Sequence, residues 1–235
     1  MTIKSFNMTS SQIKSTSKFN KSEARFNMIE QQIRTWEVLD PKVLALFDTV
    51  KRESFVAESQ VGLAFADVEL AIGSGKTMLS PKLEGRILQA LDVKSTDKVL
   101  LIGTGSGYLA ALLASLGDHV HALEIHPELS ALAQTRLKKQ KIHNVTLHVA
   151  DGVEGFADAA PYDVIVFAGA LEQRPVAAER MLKIGGRLFL VTGEMPIMNA
   201  TLTLRVGEEA FRHETLFETC LPYLEHAPKV SKFTF

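Results

Sequence analysis

The stretch VLLIGTGSGYLAAL, residues 99–112, decides the fold. Four apolar residues, Val99 to Ile102, run straight into Gly103, Gly105 and Gly107, and a small apolar helix face follows. Glycines after a strand let the backbone approach a ligand closely, at a helix N-terminus whose N–H groups point outward. Read from Gly105, Gly-Ser-Gly-Tyr-Leu-Ala satisfies the G-x-G-x-x-A pattern of dinucleotide sites. A glycine turn that merely closes a strand–helix unit carries the same letters. Leu101 is the third residue of the run, where many nucleotide sites have an acid.

Outward from this stretch the chain alternates. KVLLIG is a buried strand and Tyr108 to Leu116 a helix. HVHALEI is the next strand and Pro127 to Lys139 the next helix. VTLHVAD, YDVIVFAG and GGRLFLVTG follow as strands, with a helix around Val176 to Leu182 before the last. Such alternation implies a mostly parallel, doubly wound α/β sheet covered on both faces. Two further strand-like runs, TLTLRVG and HETLFETCLPYL, have no helix between them and pair antiparallel at the sheet edge.

Upstream, Phe26, Ile29, Ile33 and Trp36 form one helical stripe and Val43, Leu44, Phe47 and Val50 another. Asp40 before Pro41 is a good N-cap. Residues 62–80 read as Gly-rich and irregular, with a loop at IGSGKTMLSP, and Pro81 opens a helix to about Leu91. Residues 1–22 read as a mobile arm rich in Ser, Thr, Asn and Lys. Residues 23–92 form a helical and loop region that makes one unit with the α/β domain, 93–235.

Bulk properties narrow the class. The chain has 235 residues, 46% hydrophobic, with formal net charge −1, so its whole surface is not built to grip phosphate backbones. The lone Cys220 excludes a disulfide framework within the chain and fits a reducing compartment. No apolar run approaches the roughly 20 residues that span a bilayer, and the first residues lack the apolar core of a secretory signal. A soluble cytoplasmic protein is expected. There is no HExxH or Cys/His ligand spacing, so no metal is expected. His119 and His121 alternate with strand neighbours and read as structural or exposed.

Two more strand ends carry candidate ligands. Glu124 lies about 20 residues past the glycines, where an acid accepts hydrogen bonds from ribose hydroxyls. Asp151-Gly152 ends the third strand. Its acid suits an adenine amino group and a backbone N–H suits the ring, although Asp-Gly also simply forms turns. Three sites along one rim fit an adenosine moiety. They do not separate NAD from S-adenosylmethionine.

From about residue 26 to 196 the chain resembles the protein-L-isoaspartate O-methyltransferases. The matching pieces are MIEQQI, VKRESFV, AFADVELAIGSGKT, VLLIGTGSGYLAALLASL, NVTLHVADGVEG, PYDVIVFAGA and LKIGGRLFLVTG, in that order. The middle pieces are shared with many Rossmann-like methyltransferases, whereas RESFV and IGSGKT are more specific. The resemblance implies a Rossmann-like seven-strand fold with S-adenosyl-L-methionine held by Gly103, Thr104, Gly105, Gly107, Tyr108, Glu124, Asp151 and Gly152. It implies a monomer that methylates L-isoaspartyl residues of damaged proteins or peptides, with Thr77 and Ser80 in the substrate loop. A methyl group on a sulfonium is already activated and a carboxylate is ionised near neutral pH, so this chemistry asks chiefly for alignment.

Two departures stand out. The family usually has Glu where Leu101 stands, and Ser in a Thr-Ile-Ser-x-Pro loop where Leu79 stands; here the hydroxyl moves to Ser80. Ser80 either contacts substrate or caps the helix after it. A binding homologue with another substrate or little turnover is the alternative. A nucleic-acid amino methyltransferase is disfavoured because Phe167 to Ala170, FAGA, fills the place of an Asn-Pro-Pro-aromatic motif. A basic arm of Lys4, Lys14, Lys18, Lys21 and Arg25 reads as a solvated tail rather than an RNA contact.

Overall fold

The computed structural model describes residues 19–229, so most of the N-terminal arm, Lys4, Lys14 and Lys18 included, lies outside the described residues. Helices and strands are numbered in chain order. Helix α1 (Lys21–Asn27) is capped by Asn20, whose side chain accepts from the Ser22 and Glu23 N–H groups. A wider turn of π-helix, Met28–Ile33, follows directly. The expected stripe of Phe26, Ile29, Ile33 and Trp36 does not form one buried face. Met28, Ile29 and Ile33 are buried, whereas Phe26 and Trp36 are 63% and 50% exposed. Arg25 is not a solvated arm residue: it is buried, pairs with Glu53 and lies over the Phe65 ring. Helix α2 (Pro41–Thr49) starts where Asp40 accepts from the Lys42 N–H, and buries Val43, Leu44 and Phe47.

The expected irregular loop is instead a two-stranded hairpin, β1 (Leu70–Gly73) and β2 (Lys76–Met78). Its turn uses positive φ at Gly73, Ser74 and Gly75, which the two glycines adopt without a side-chain penalty. Helix α3 (Pro81–Leu91) then leads into the α/β portion.

That portion alternates β3 (Lys98–Ile102), α4 (Tyr108–Ala114), β4 (His119–Glu124), α5 (Pro127–Lys139), β5 (Val145–Val149), β6 (Tyr162–Leu171), α6 (Val176–Arg180) and β7 (Leu182–Glu194). Strands β8 (Ile197–Arg205) and β9 (Phe211–Thr219) complete it. The seven-stranded sheet has the order β5-β4-β3-β6-β7-β8-β9, and only the β7–β8 and β8–β9 pairs are antiparallel. This is the doubly wound, mostly parallel sheet with an antiparallel C-terminal edge that the alternation predicts. Val99 to Ile102 are buried on both faces, as a central parallel strand requires. Leu100 and Ile102 join one core layer, Val99 and Leu101 the other.

After β3 the chain moves outward to β4 and β5, then returns across to β6. The C-terminal ends of β3, β4 and β6 thus flank the point where the strand order reverses, where open α/β sheets form a ligand crevice. The tail differs from expectation. HETLFETCLPYL is not one strand: β9 ends at Thr219, and residues 222–224 turn back to bond the end of β6, with Ala170 N–H to Pro222 O at 2.9 Å and Leu224 N–H to Ala170 O at 3.0 Å.

Candidate functional site

A cleft opens at that reversal point, with about 930 Å³ of space counting its open mouth. Its floor is the glycine loop and the ends of β3, β4 and β5. The β1–β2 hairpin and residues 222–225 roof it.

The glycine loop is shaped by close approach. A Cβ on Gly105 would sit 2.9 Å from the Ile72 side chain of the hairpin, and one on Gly152 would sit 2.9 Å from Ile102. Gly103, Gly105 and Gly107 all hold positive φ. Gly107 backs against Ala133 of α5, where a Cβ would lie 3.2 Å from the Ala133 Cα, so it serves helix packing rather than the cavity.

Glu124 is buried and lines the cleft. One carboxylate oxygen accepts from the Gly105 N–H at 2.8 Å and the other from the His126 N–H at 3.1 Å. It therefore fixes the glycine loop while facing the cavity. Asp151 accepts from the Val153 N–H at 3.1 Å and meets His226 Nδ1 at 2.7 Å, with its carboxylate half-exposed at the rim.

Of the residues picked from sequence, Thr77, Gly103, Gly105, Glu124, Asp151 and Gly152 line the cleft. Thr104, Gly107, Tyr108 and Ser80 do not. Thr104 is buried with its hydroxyl on the Leu123 carbonyl at 3.0 Å. The Tyr108 ring points away into the core, its hydroxyl reaches the Val50 carbonyl at 3.2 Å, and burial raises it well above the usual phenol range. Ser80 occupies the N-cap position of α3 without a side-chain cap bond and faces outside the cleft, whereas Leu79 faces in. Neighbouring residues of an extended segment point to opposite sides, so a hydroxyl displaced by one residue cannot replace the first. Thr77 is exposed, and its hydroxyl donates to Glu69 at 2.7 Å.

Sequence reasoning missed the far wall. Lys76 Nζ lies 2.6 Å from Glu225, which also meets His126 Nε2 at 3.0 Å; Ser74 donates to Glu128 at 2.6 Å. These bonds hold the carboxyls of Glu225 and Glu128 below the usual range. The hairpin, the start of α5 and the C-terminal segment are far apart in sequence, so no local pattern marks their meeting.

Behind the loop that joins the hairpin to α3 lies a buried arginine–glutamate pair. Arg52 pairs with Glu84 and donates to the Leu79 carbonyl at 2.6 Å, with its guanidinium 5.3 Å from the centre of the Tyr108 ring. Burial pushes Glu84 up to about 8 from 4.5, against the pull of Arg52. Between those values the folded chain holds a proton that the unfolded chain releases. Stability therefore falls as pH rises from about 4.5 to about 8. Glu84→Gln is expected to flatten this slope in urea titrations across that window; an unaltered slope would mean that Glu84 is ionised throughout.

His121 and His148 face each other at 3.2 Å on the β4–β5 face, both held below the usual imidazole range chiefly by burial. Among the described residues no group of three or more His, Cys, Asp or Glu side chains is placed to hold a metal ion.

The chain matches the family model for protein-L-isoaspartate(D-aspartate) O-methyltransferase over residues 23–214. It is 38% identical over 192 residues to the protein-L-isoaspartate O-methyltransferase of Protochlamydia amoebophila, covering 80% of this chain and 90% of that one. The Koribacter versatilis enzyme of the same name is 39% identical over 181 residues, covering 77% and 81%. A solved protein-L-isoaspartate O-methyltransferase superposes with TM-score 0.76 at 22% identity over 86% of this chain and 66% of that one. A Plasmodium falciparum structure, described as a beta-aspartate methyltransferase in complex with S-adenosyl-L-homocysteine, superposes with TM-score 0.72 at 18% identity over 88% and 99%. At these identities the two structures speak for the fold alone. The match across both the glycine loop and the upstream hairpin region places this chain in the protein-L-isoaspartate(D-aspartate) O-methyltransferase family.

Proposed function

We propose that the protein binds S-adenosyl-L-methionine in the cleft and methylates the free carboxylate of L-isoaspartyl residues in damaged proteins. The observation that carries this is a cleft floored by the glycine loop and the ends of β3, β4 and β5, with Glu124 and Asp151 in its lining, in a chain of this family. The floor fits the cofactor. Glu124 still offers lone pairs to ribose hydroxyls, Asp151 stands at the rim for the adenine amino group, and Ile102, Leu123 and Val153 give the ring apolar walls. Gly105 and Gly152 let Ile72, Ile102 and Leu123 pack closely against the backbone of the floor, where a Cβ would collide with them.

When bound, the cofactor supplies a methyl group already activated by a sulfonium. The chain's own residues then orient and exclude water. Thr77 and the Leu79 backbone form the wall on the substrate side, Leu79 narrows it, and Tyr223 and Leu224 cover the cleft from the opposite side. A carboxylate nucleophile needs no general base, so placement in line with the methyl group is the main demand. Within this reading the chain works as a monomer in the cytoplasm and on polypeptide rather than nucleic acid, which its formal charge of −1 supports. No helix among the described residues is long and apolar enough to cross a membrane.

Calorimetry with S-adenosyl-L-homocysteine, followed by methyl transfer to an isoaspartyl peptide and its aspartyl twin, tests the reading. Binding and transfer to the isoaspartyl form alone are expected. Glu124→Ala should weaken cofactor binding by about 1.5–3 kcal/mol, roughly ten- to hundredfold. Cofactor binding with no transfer to either peptide would instead favour a homologue with another substrate.

A further inference from the structure

Beside the cleft runs a second groove, separated from it by two thin walls of chain. In one wall Leu79 faces the cleft and Ser80 the groove; in the other, Pro222 and Tyr223 face the cleft and Cys220 and Leu221 the groove. A chain reaching into the cleft over either wall therefore continues into the groove.

The groove's far side is the sheet edge. Phe217, Glu218 and Thr219 of β9 all line it. Successive strand residues point to opposite faces, so all three in the lining bring the backbone at the end of β9 to the groove, with the Arg86 guanidinium 4.4 Å from the Phe217 ring centre. Strand β9 ends the strand order, and among the described residues nothing pairs with its outer edge as a strand. The register with β8 shifts between Ala200 and Thr201, just before these three residues, so the edge is re-aimed there. Facing it stands Trp36, half-exposed, with the Lys82 ammonium 4.2 Å from its ring centre. The charges around the groove are mostly matched: Lys82 with Asp67 at 2.7 Å and Arg86 with Glu37 at 2.8 Å.

We propose that this groove takes the polypeptide flanking the reacting residue, as an extended segment added to the outer edge of β9 and packed on Trp36. The proposal rests on the methyltransferase reading above and says how a polypeptide, rather than a free amino acid, is held. Main-chain hydrogen bonds to a sheet edge give affinity without demanding a sequence. Paired charges in the walls likewise ask for no particular charge on the peptide.

Trp36 is the chain's single tryptophan, so its emission reports on the groove directly. With S-adenosyl-L-homocysteine present, a blocked isoaspartyl dipeptide and a peptide extending about four residues on either side, roughly the length of an ordinary strand, are titrated in parallel. The long peptide is expected to shift Trp36 emission and bind about tenfold tighter, while the dipeptide leaves the emission unchanged. Trp36→Ala should raise the long peptide's KM about tenfold without lowering kcat, and Leu39→Ala, at an exposed position outside the groove, should not. Equal binding of the two peptides with unchanged emission, while both are methylated, overturns the groove proposal and leaves the methyltransferase reading standing. Methylation of neither overturns both. An emission change that follows protein concentration instead of peptide assigns the groove to a second copy of the chain and also overturns the proposal.

Discussion

Arg52→Ala is expected to destabilise the protein by about 2–5 kcal/mol, the range for truncating a large buried side chain, because it removes a buried guanidinium from its partners and leaves a cavity. Arg52 is 1% exposed and serves three partners at once: Glu84, the Leu79 carbonyl and the face of Tyr108. Alanine leaves the carbonyl without its donor and opens a cavity of nearly a whole side chain. Glu84, already raised by burial, loses the cation that pulls it down and keeps its proton to higher pH still. Against a typical total stability of about 5–15 kcal/mol, such a loss removes a large share. Arg52→Lys should recover less than half, because an ammonium cannot reach carboxylate and carbonyl together as the guanidinium fork does. Urea unfolding of the three proteins measures this; a loss below about 1 kcal/mol would show that the neighbourhood rearranges around the gap. Arg52, the first residue of RESFV, ties the chain before α3 at Leu79 to Tyr108, the first residue of α4.

Leu101→Glu is expected to be as damaging, and addition of cofactor should not rescue it. Leu101 is fully buried on β3, in register with Ala122 of β4 and Val166 of β6, and faces the core layer that holds Tyr108. The cleft is lined by its neighbours Ile102 and Gly103, not by Leu101 itself. A carboxylate there is surrounded by apolar groups and costs several kcal/mol even after relaxation. A ligand at a hundred times its Kd contributes about 2.7 kcal/mol, and only in full if the variant still binds it. Thermal melts with and without S-adenosyl-L-homocysteine distinguish the cases. A stable variant that binds the cofactor more tightly than the parent would show that the position reaches the ligand after all.

The second departure resolves by the same kind of geometry. Leu79 and Ser80 are adjacent in sequence but face different cavities, so the hydroxyl at position 80 lies outside the cleft that position 79 lines. Whether a residue lines a site depends on which side of an extended segment it faces. Its type alone does not say so.

The sequence by itself determined the sheet, the glycine loop and the acids at the strand ends. Those signals are local: an apolar run closed by glycines, a period that switches between 2 and 3.6, and an acid a fixed distance downstream. It also determined the family, because RESFV, IGSGKT and the glycine loop occur in one order. Only the tertiary structure decided the rest. The wide helical turn at Met28–Ile33 rotates the residues after it, and Trp36 lies at the surface. Arg25 lies in the core, where Glu53, 28 residues away, balances its charge. The roof of the cleft joins Lys76, His126 and Glu225, and the buried anchor joins Arg52, Glu84 and Leu79. Contacts between residues so distant in the chain leave no periodic trace in it, because they are fixed by how the layers stack rather than by any one segment.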